Sequence, residues 1–175
     1  RRPATPRGGG AGRGDAPCDT PLDKLRARLL YEEPSLVLAW RRRLDAQSRG
    51  AVSRGEFCRA CRGLGFRDVR GAWAELDPDG AGWATLADLC WAEAAALGRL
   101  HEDLRVACGG VGRAAAHLGL VGVAQLHRGD FCRRLVASGL IPDPLQADAA
   151  FGLLCSADAT PAVAARDFAW LAAGG

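Results

Sequence analysis

Two twelve-residue polar stretches, residues 45–56 and 77–88, repeat one order of residue types 32 positions apart, and each interrupts apolar residues at helical spacing. Ahead of the first, Val37, Trp40 and Leu44 fall on one face. Asp45-Ala-Gln-Ser-Arg-Gly50 then breaks the period, and Phe57, Cys61 and Leu64 resume it. The second repeats the arrangement with Val69, Trp73 and Leu76, then Asp77-Pro-Asp-Gly-Ala-Gly82, then Leu86, Leu89 and Cys90. Helix, loop, helix, twice in succession, is the simplest structure with this pattern. One such unit alone would leave its apolar face in water, so two in sequence form a natural pair.

The pattern extends further. Arg54-Gly-Glu-Phe-Cys-Arg59 returns as Arg128-Gly-Asp-Phe-Cys-Arg133, 74 residues on, and each copy leads to a Gly-apolar pair, Gly65-Phe66 and Gly139-Leu140. Beyond Ile141-Pro-Asp-Pro144 a fourth unit can be drawn, with a helix over residues 145–154, a loop over 156–161, and Val163 and Phe168 opening the last helix. The expected fold class is therefore all-α: four helix-loop-helix units in two pairs, spanning residues 21–98 and 99–175. Helical signals begin at Pro21, with Leu22, Leu25, Leu29 and Leu30 on one face, and restart at Pro34-Ser35. Residues 85–108 read either as one long connector or as two helices. Residues 1–20, rich in Pro, Gly, Ala and Arg, lack the apolar side chains to offset the entropy of ordering and are expected to form a disordered basic arm.

The polar stretches have the spacing of an oxygen-lined cation loop. Such a loop takes oxygens at positions 1, 3, 5 and 9, a backbone carbonyl at 7, a bidentate carboxylate at 12, and glycine at 6 for the sharp turn. Residues 77–88 supply Asp77, Asp79, Gly82, the Trp83 carbonyl, Thr85 and Asp88, with Ala81 at position 5. Residues 45–56 supply Asp45, Gln47, Gly50, the Ala51 carbonyl, Ser53 and Glu56, but Arg49 stands at position 5. Asp88 reaches less far than Glu, which makes bidentate closure on Ca2+ harder and Mg2+ relatively more competitive. Asp and Gly cluster in many helix connections, but here the position-12 acid and an apolar residue after it recur in both copies.

On these residues the chain resembles the EF-hand family, over about residues 34–97, and its two-pair layout is similar to the calmodulin-like arrangement. The resemblance implies calcium binding in the first pair, weakened by the missing position-5 oxygens. It also implies that Val52 and Ala84, at position 8, join the two loops in a short antiparallel bridge. The second pair departs from the pattern: residues 119–130 have no acid before position 12, and residues 156–167 put Pro161 where the turn glycine belongs. Neither of these is expected to bind calcium. The expected function is a weak calcium sensor or regulatory segment whose helices open a groove for an amphipathic target helix. The alternative is an ion-free scaffold for protein-protein interaction within a longer chain.

A second alternative, a Cys-based zinc or redox protein, rests on Cys58-Arg-Ala-Cys61. No second Cys pair or closely spaced His pair completes a tetrahedral site, so Cys58, Cys90 and Cys132 are expected to be packing residues of a repeated helix. His101, His117 and His127 are isolated, and no nucleophile has a recognisable base, so no enzymatic activity is expected. Trp40, Trp73, Trp83, Trp91 and Trp170 are expected to be core aromatics, or in part to line the groove. With no Met at all, such a groove would be narrow in its choice of partner. A net charge of +3, with arginines spread along the chain, makes no case for nucleic acid, and no apolar run suits a membrane span. Seven cysteines without a dense short-loop framework suit a reducing, intracellular compartment, and a first residue other than Met suggests part of a longer polypeptide.

Overall fold

The computed structural model describes residues 20–155 and 160–173. The expected basic arm lies outside the described residues except for Thr20, as does most of the 156–161 loop. The described chain is mainly helical, with two small two-stranded antiparallel sheets. No helix in it is long and apolar enough to cross a membrane.

Helix α1 (Pro21–Glu32) starts where the sequence signals it. Thr20 accepts the Asp23 amide through its hydroxyl at 3.2 Å, and Pro21 occupies the first turn, where its missing N–H costs nothing. The stretch expected as one helix after Pro34 is a short α2 (Leu36–Ala39) that widens into a π-helical turn, Trp40–Leu44, closed by the Asp45 amide on the Trp40 carbonyl at 2.8 Å. Strand β1 (Ala51–Ser53) and α3 (Arg54–Gly63) follow, then α4 (Val69–Leu76), β2 (Trp83–Thr85) and α5 (Leu86–Leu89). Cys90 breaks the path, so residues 85–108 hold two helices, α5 and the long α6 (Trp91–Cys108).

The second half repeats the order: α7 (Val111–His117), β3 (Leu126–His127), α8 (Arg128–Ala137), α9 (Pro144–Leu154), β4 (Ala162–Val163) and α10 (Ala165–Ala172). Strand β1 pairs with β2 so that Val52 faces Ala84, and β3 pairs with β4 so that Leu126 faces Val163. All four of these residues are the eighth of their stretch. The turn glycines Gly50 and Gly82 have φ of 77° and 90°, a left-handed backbone that a side chain would strain.

One continuous core runs through both halves, from Leu25, Trp40 and Phe57 to Leu104, Phe131 and Phe168. Phe57 tilts against Trp73 at 5.2 Å, and its repeat counterpart Phe131 sits between Phe151 and Phe168 at 5.7 and 6.3 Å. Helix α6 runs across residues 98 and 99, where the boundary between pairs was expected, and packs against both halves. Arg41 of the π turn ties the halves together. Its guanidinium reaches Asp167 of α10 at 2.7 Å and the Leu154 carbonyl at 3.2 Å, and lies 4.3 Å over the Trp170 ring.

The tryptophans, expected as core aromatics or in part as groove lining, divide. Trp40, Trp73 and Trp170 are buried, whereas Trp83 and Trp91 are 63% and 73% exposed. Trp83 points to the outer face of β2, because side chains alternate along a strand and Ala84 takes the inner face. Trp91 follows the Cys90 break and starts α6 on its open side.

Candidate functional site

Both polar loops of the first half are organised around their first residue. The Asp45 carboxylate accepts the Arg49 amide at 3.0 Å and the Gly50 amide at 2.7 Å. Asp77 does the same with Ala81 at 2.7 Å and Gly82 at 2.9 Å. Each aspartate thereby holds its own turn closed. At the other end, the position-12 acid caps the outgoing helix. Glu56 accepts the Ser53 amide and hydroxyl at 2.9 and 2.7 Å, and Asp88 accepts the Thr85 amide and hydroxyl at 2.7 and 2.8 Å.

The loops differ in what meets the position-12 acid. In residues 45–56 the Arg49 guanidinium crosses the loop and pairs with Glu56. The Ser53 hydroxyl and amide, and then Arg49, hold the Glu56 carboxyl down at about 2 from its ordinary 4.5. The residue that removes a ligand from position 5 thus brings a positive charge of its own to the carboxylate that would close on an ion.

In residues 77–88 no basic side chain pairs with Asp77, Asp79 or Asp88 among the described residues. Asp79 and Asp88 are exposed, and the Trp83 and Thr85 positions lie in β2. The donor set is chemically suited to a hard divalent cation: three carboxylates, a hydroxyl and a strand carbonyl. It is not gathered. Among the described residues no group of three or more His, Cys, Asp or Glu side chains stands close enough to hold a metal ion. Asp77 accepts its own loop amides, one on each oxygen, and Asp88 accepts Thr85 through a single oxygen, so both carboxylates keep acceptor capacity. Of the other first-loop candidates, Gln47 and Ser53 are exposed and Ala51 is half-buried in β1.

The position-12 acids of the second half also meet arginines. Asp130 pairs with Arg133 at 3.0 Å, and Asp167, fully buried, pairs with Arg41. Three of the four position-12 acids therefore face a guanidinium. Asp167 also accepts the Ala164 amide at 2.7 Å, which caps α10 as Glu56 caps α3.

The apolar face of the first half, where an amphipathic target helix was expected to dock, is covered by α1. Leu22, Leu25 and Leu29 are buried in it. Arg26 donates to the Leu89 carbonyl at 2.8 Å and Arg28 to the Leu64 carbonyl at 2.9 Å, satisfying the open ends of α5 and α3. Pro21 packs so close to Gly71 of α4 that a Cβ there would lie 2.8 Å from the proline ring. The same Leu spacing recurs as Leu97, Leu100 and Leu104 of α6, all buried. Leu-x2-Leu-x3-Leu ahead of each pair was the available signal for these covering helices.

The Cys58-x-x-Cys61 pair lies on one helix turn, with Cys61 buried and Cys58 half-buried. Burial first, and then Cys58, pushes the Cys61 thiol up to about 12, so it is protonated at ordinary pH and a poor ligand or nucleophile. Burial does the same to Cys90.

No family model, no curated protein and no solved structure matches this chain.

Proposed function

We propose that this chain is an EF-hand-like interaction scaffold, made of two pairs of units, in which arginine side chains rather than calcium meet the closing acid in three of the four loops. The observation that carries this reading is the position of Arg49. It replaces the fifth-position oxygen and pairs with the twelfth-position acid of the same loop. Arg133 and Arg41 meet the corresponding acids of the third and fourth loops. These guanidinium-carboxylate pairs, of which only Arg41–Asp167 is buried, supply the charge neutralisation that a divalent ion would supply, with no ion to gain or lose. The pairing of Val52 with Ala84 and of Leu126 with Val163, at the same loop position in each half, supports the EF-hand-like reading of the fold.

A calcium-responsive role remains as the second reading, and residues 77–88 favour it. Their aspartates have no arginine partner, and their ligand types suit Ca2+ or Mg2+. Occupancy there is weak, because position 5 is Ala81 and the position-12 acid is the shorter Asp88. In either reading the partner is a protein rather than a free helix entering an open groove, since α1 already fills that face.

Calorimetric titration with calcium separates the two. The scaffold reading expects at most one weak site in the natural sequence, lost in Asp77→Ala/Asp79→Ala, and one additional site in Arg49→Asp, where position 5 regains an oxygen. Two tight sites in the natural sequence would overturn it.

A further inference from the structure

A cavity of about 550 Å3 opens where the π turn of the first half and Ser48 of its loop meet the start of α10. Arg41, Arg42, Arg43, Arg166, Glu33 and Ser48 dominate its lining. The local chain path explains the gathering. Trp40 and Leu44 take the buried side of the π turn; of the three consecutive arginines between them, Arg41 turns into the junction with α10, and Arg42 and Arg43 turn to Glu33. Arg166 comes from the opposite half, one residue before the Asp167 that Arg41 holds.

The carboxylates in reach are already committed. Glu33, 4% exposed, accepts Arg43 at 2.8 Å on one oxygen and Arg42 at 3.0 Å on the other. Asp167 has accepted Arg41 and the Ala164 amide. Glu32 lies 3.9 Å from Arg43. Arg41, Arg42 and Arg43 are thus each held by a carboxylate. Arg166 is exposed and makes no ion pair among the described residues. Arg43 turns Nε to Glu33 and one terminal nitrogen towards Glu32, and its other terminal nitrogen makes no ion pair among the described residues. Glu33 fixes Arg42 and Arg43 in place, so little ordering is left for a ligand to impose. Ser48, with φ of 53°, is the one described non-glycine residue in the left-handed region, and it brings a hydroxyl to the rim.

Guanidinium forks match phosphate oxygens two at a time, and Arg43 of the first half and Arg166 of the second line the same cavity. We propose that this basin binds a small phosphate-bearing anion of the pyrophosphate class, held chiefly by Arg43 and Arg166, with the Ser48 hydroxyl as a further donor. This inference does not depend on whether any loop binds calcium. A bound polyanion would bridge the halves beside the Arg41–Asp167 pair and steady their junction.

The test is calorimetric titration of the full chain with inorganic pyrophosphate in metal-free buffer at physiological ionic strength, with sulfate as a matched control. The expected result is one saturable site with a dissociation constant of about 1 mM or tighter, and little heat with sulfate. Arg43→Ala/Arg166→Ala should weaken it at least tenfold, and Arg166→Gln alone, which disturbs no existing ion pair, several-fold. Arg105→Ala, a change to an exposed pair with Glu102 on α6, should leave it unchanged. Absence of saturation, or equal weakening by Arg105→Ala, would overturn the proposal, the latter by showing only general attraction of anions to arginine.

Discussion

Arg49 reaches across its own loop to Glu56, and that contact joins the fifth and twelfth positions of a turn that Asp45 already holds closed. The sequence pattern displays the missing oxygen at position 5. It does not display the reach of the guanidinium, because the partner lies seven residues on and the pairing depends on the turn that Asp45 and Gly50 make. The same limit applies to Asp77 and Asp88, whose ligand spacing is plain in the sequence while their commitment to backbone amides is a matter of geometry. The Glu56 cap gives a pH dependence. Its carboxyl is held at about 2, below the ordinary 4.5, so its contribution to stability is complete above about 4.5 and fades as the pH falls towards about 2. Titration of the Glu56 carboxyl by NMR should find the midpoint near the lower value. Ser53→Ala should raise it more than Arg49→Ala does, because the serine is the larger cause. A midpoint near 4.5 in the unmodified chain would show that the cap and the pair do not form.

Helices α1 and α6 are the elements that give each half its closed face. Helical spacing identified α1, and the repeat of Phe57 as Phe131 located α3 and α8. The covering role of α1 is not in that spacing, since a buried leucine stripe has the same period whichever partner it meets. The π turn was also hidden, because Val37, Trp40 and Leu44 suit an α-helix equally well. Gly71 is the position where the covering helix can be tested. Gly71→Ala would place a methyl group 2.8 Å from the Pro21 ring and from the Asp68 carboxylate. The expected cost is about 1–3 kcal/mol of overpacking, less whatever the better helix propensity of Ala recovers, read by urea denaturation. Proteolysis of α1 should accelerate in parallel. An unchanged or more stable variant would mean that α1 does not pack where it is described.

Across the whole molecule, one core and one buried ion pair make two repeated halves into a single body. Two pairs in tandem could be read from the repeat, but their mutual packing could not. It rests on Arg41, whose partners Asp167 and Trp170 lie far along the chain and follow no period. Asp167 is fully buried and the Arg41 side chain is 11% exposed, so removing one partner strands the other. Asp167→Ala should cost about 3–5 kcal/mol in chemical denaturation, whereas Arg41→Met/Asp167→Leu should come within about 1 kcal/mol of the unmodified chain. Equal losses in both would show that shape, not charge, makes the junction. The most direct test of ion independence is a far-UV dichroism melt in excess chelator, compared with one in calcium. Loops held by arginines should give full helicity and a cooperative transition in chelator. Calcium at 1 mM should add only about 0.4 kcal/mol for one site of millimolar affinity. Helicity that collapses in chelator and returns with calcium would contradict it.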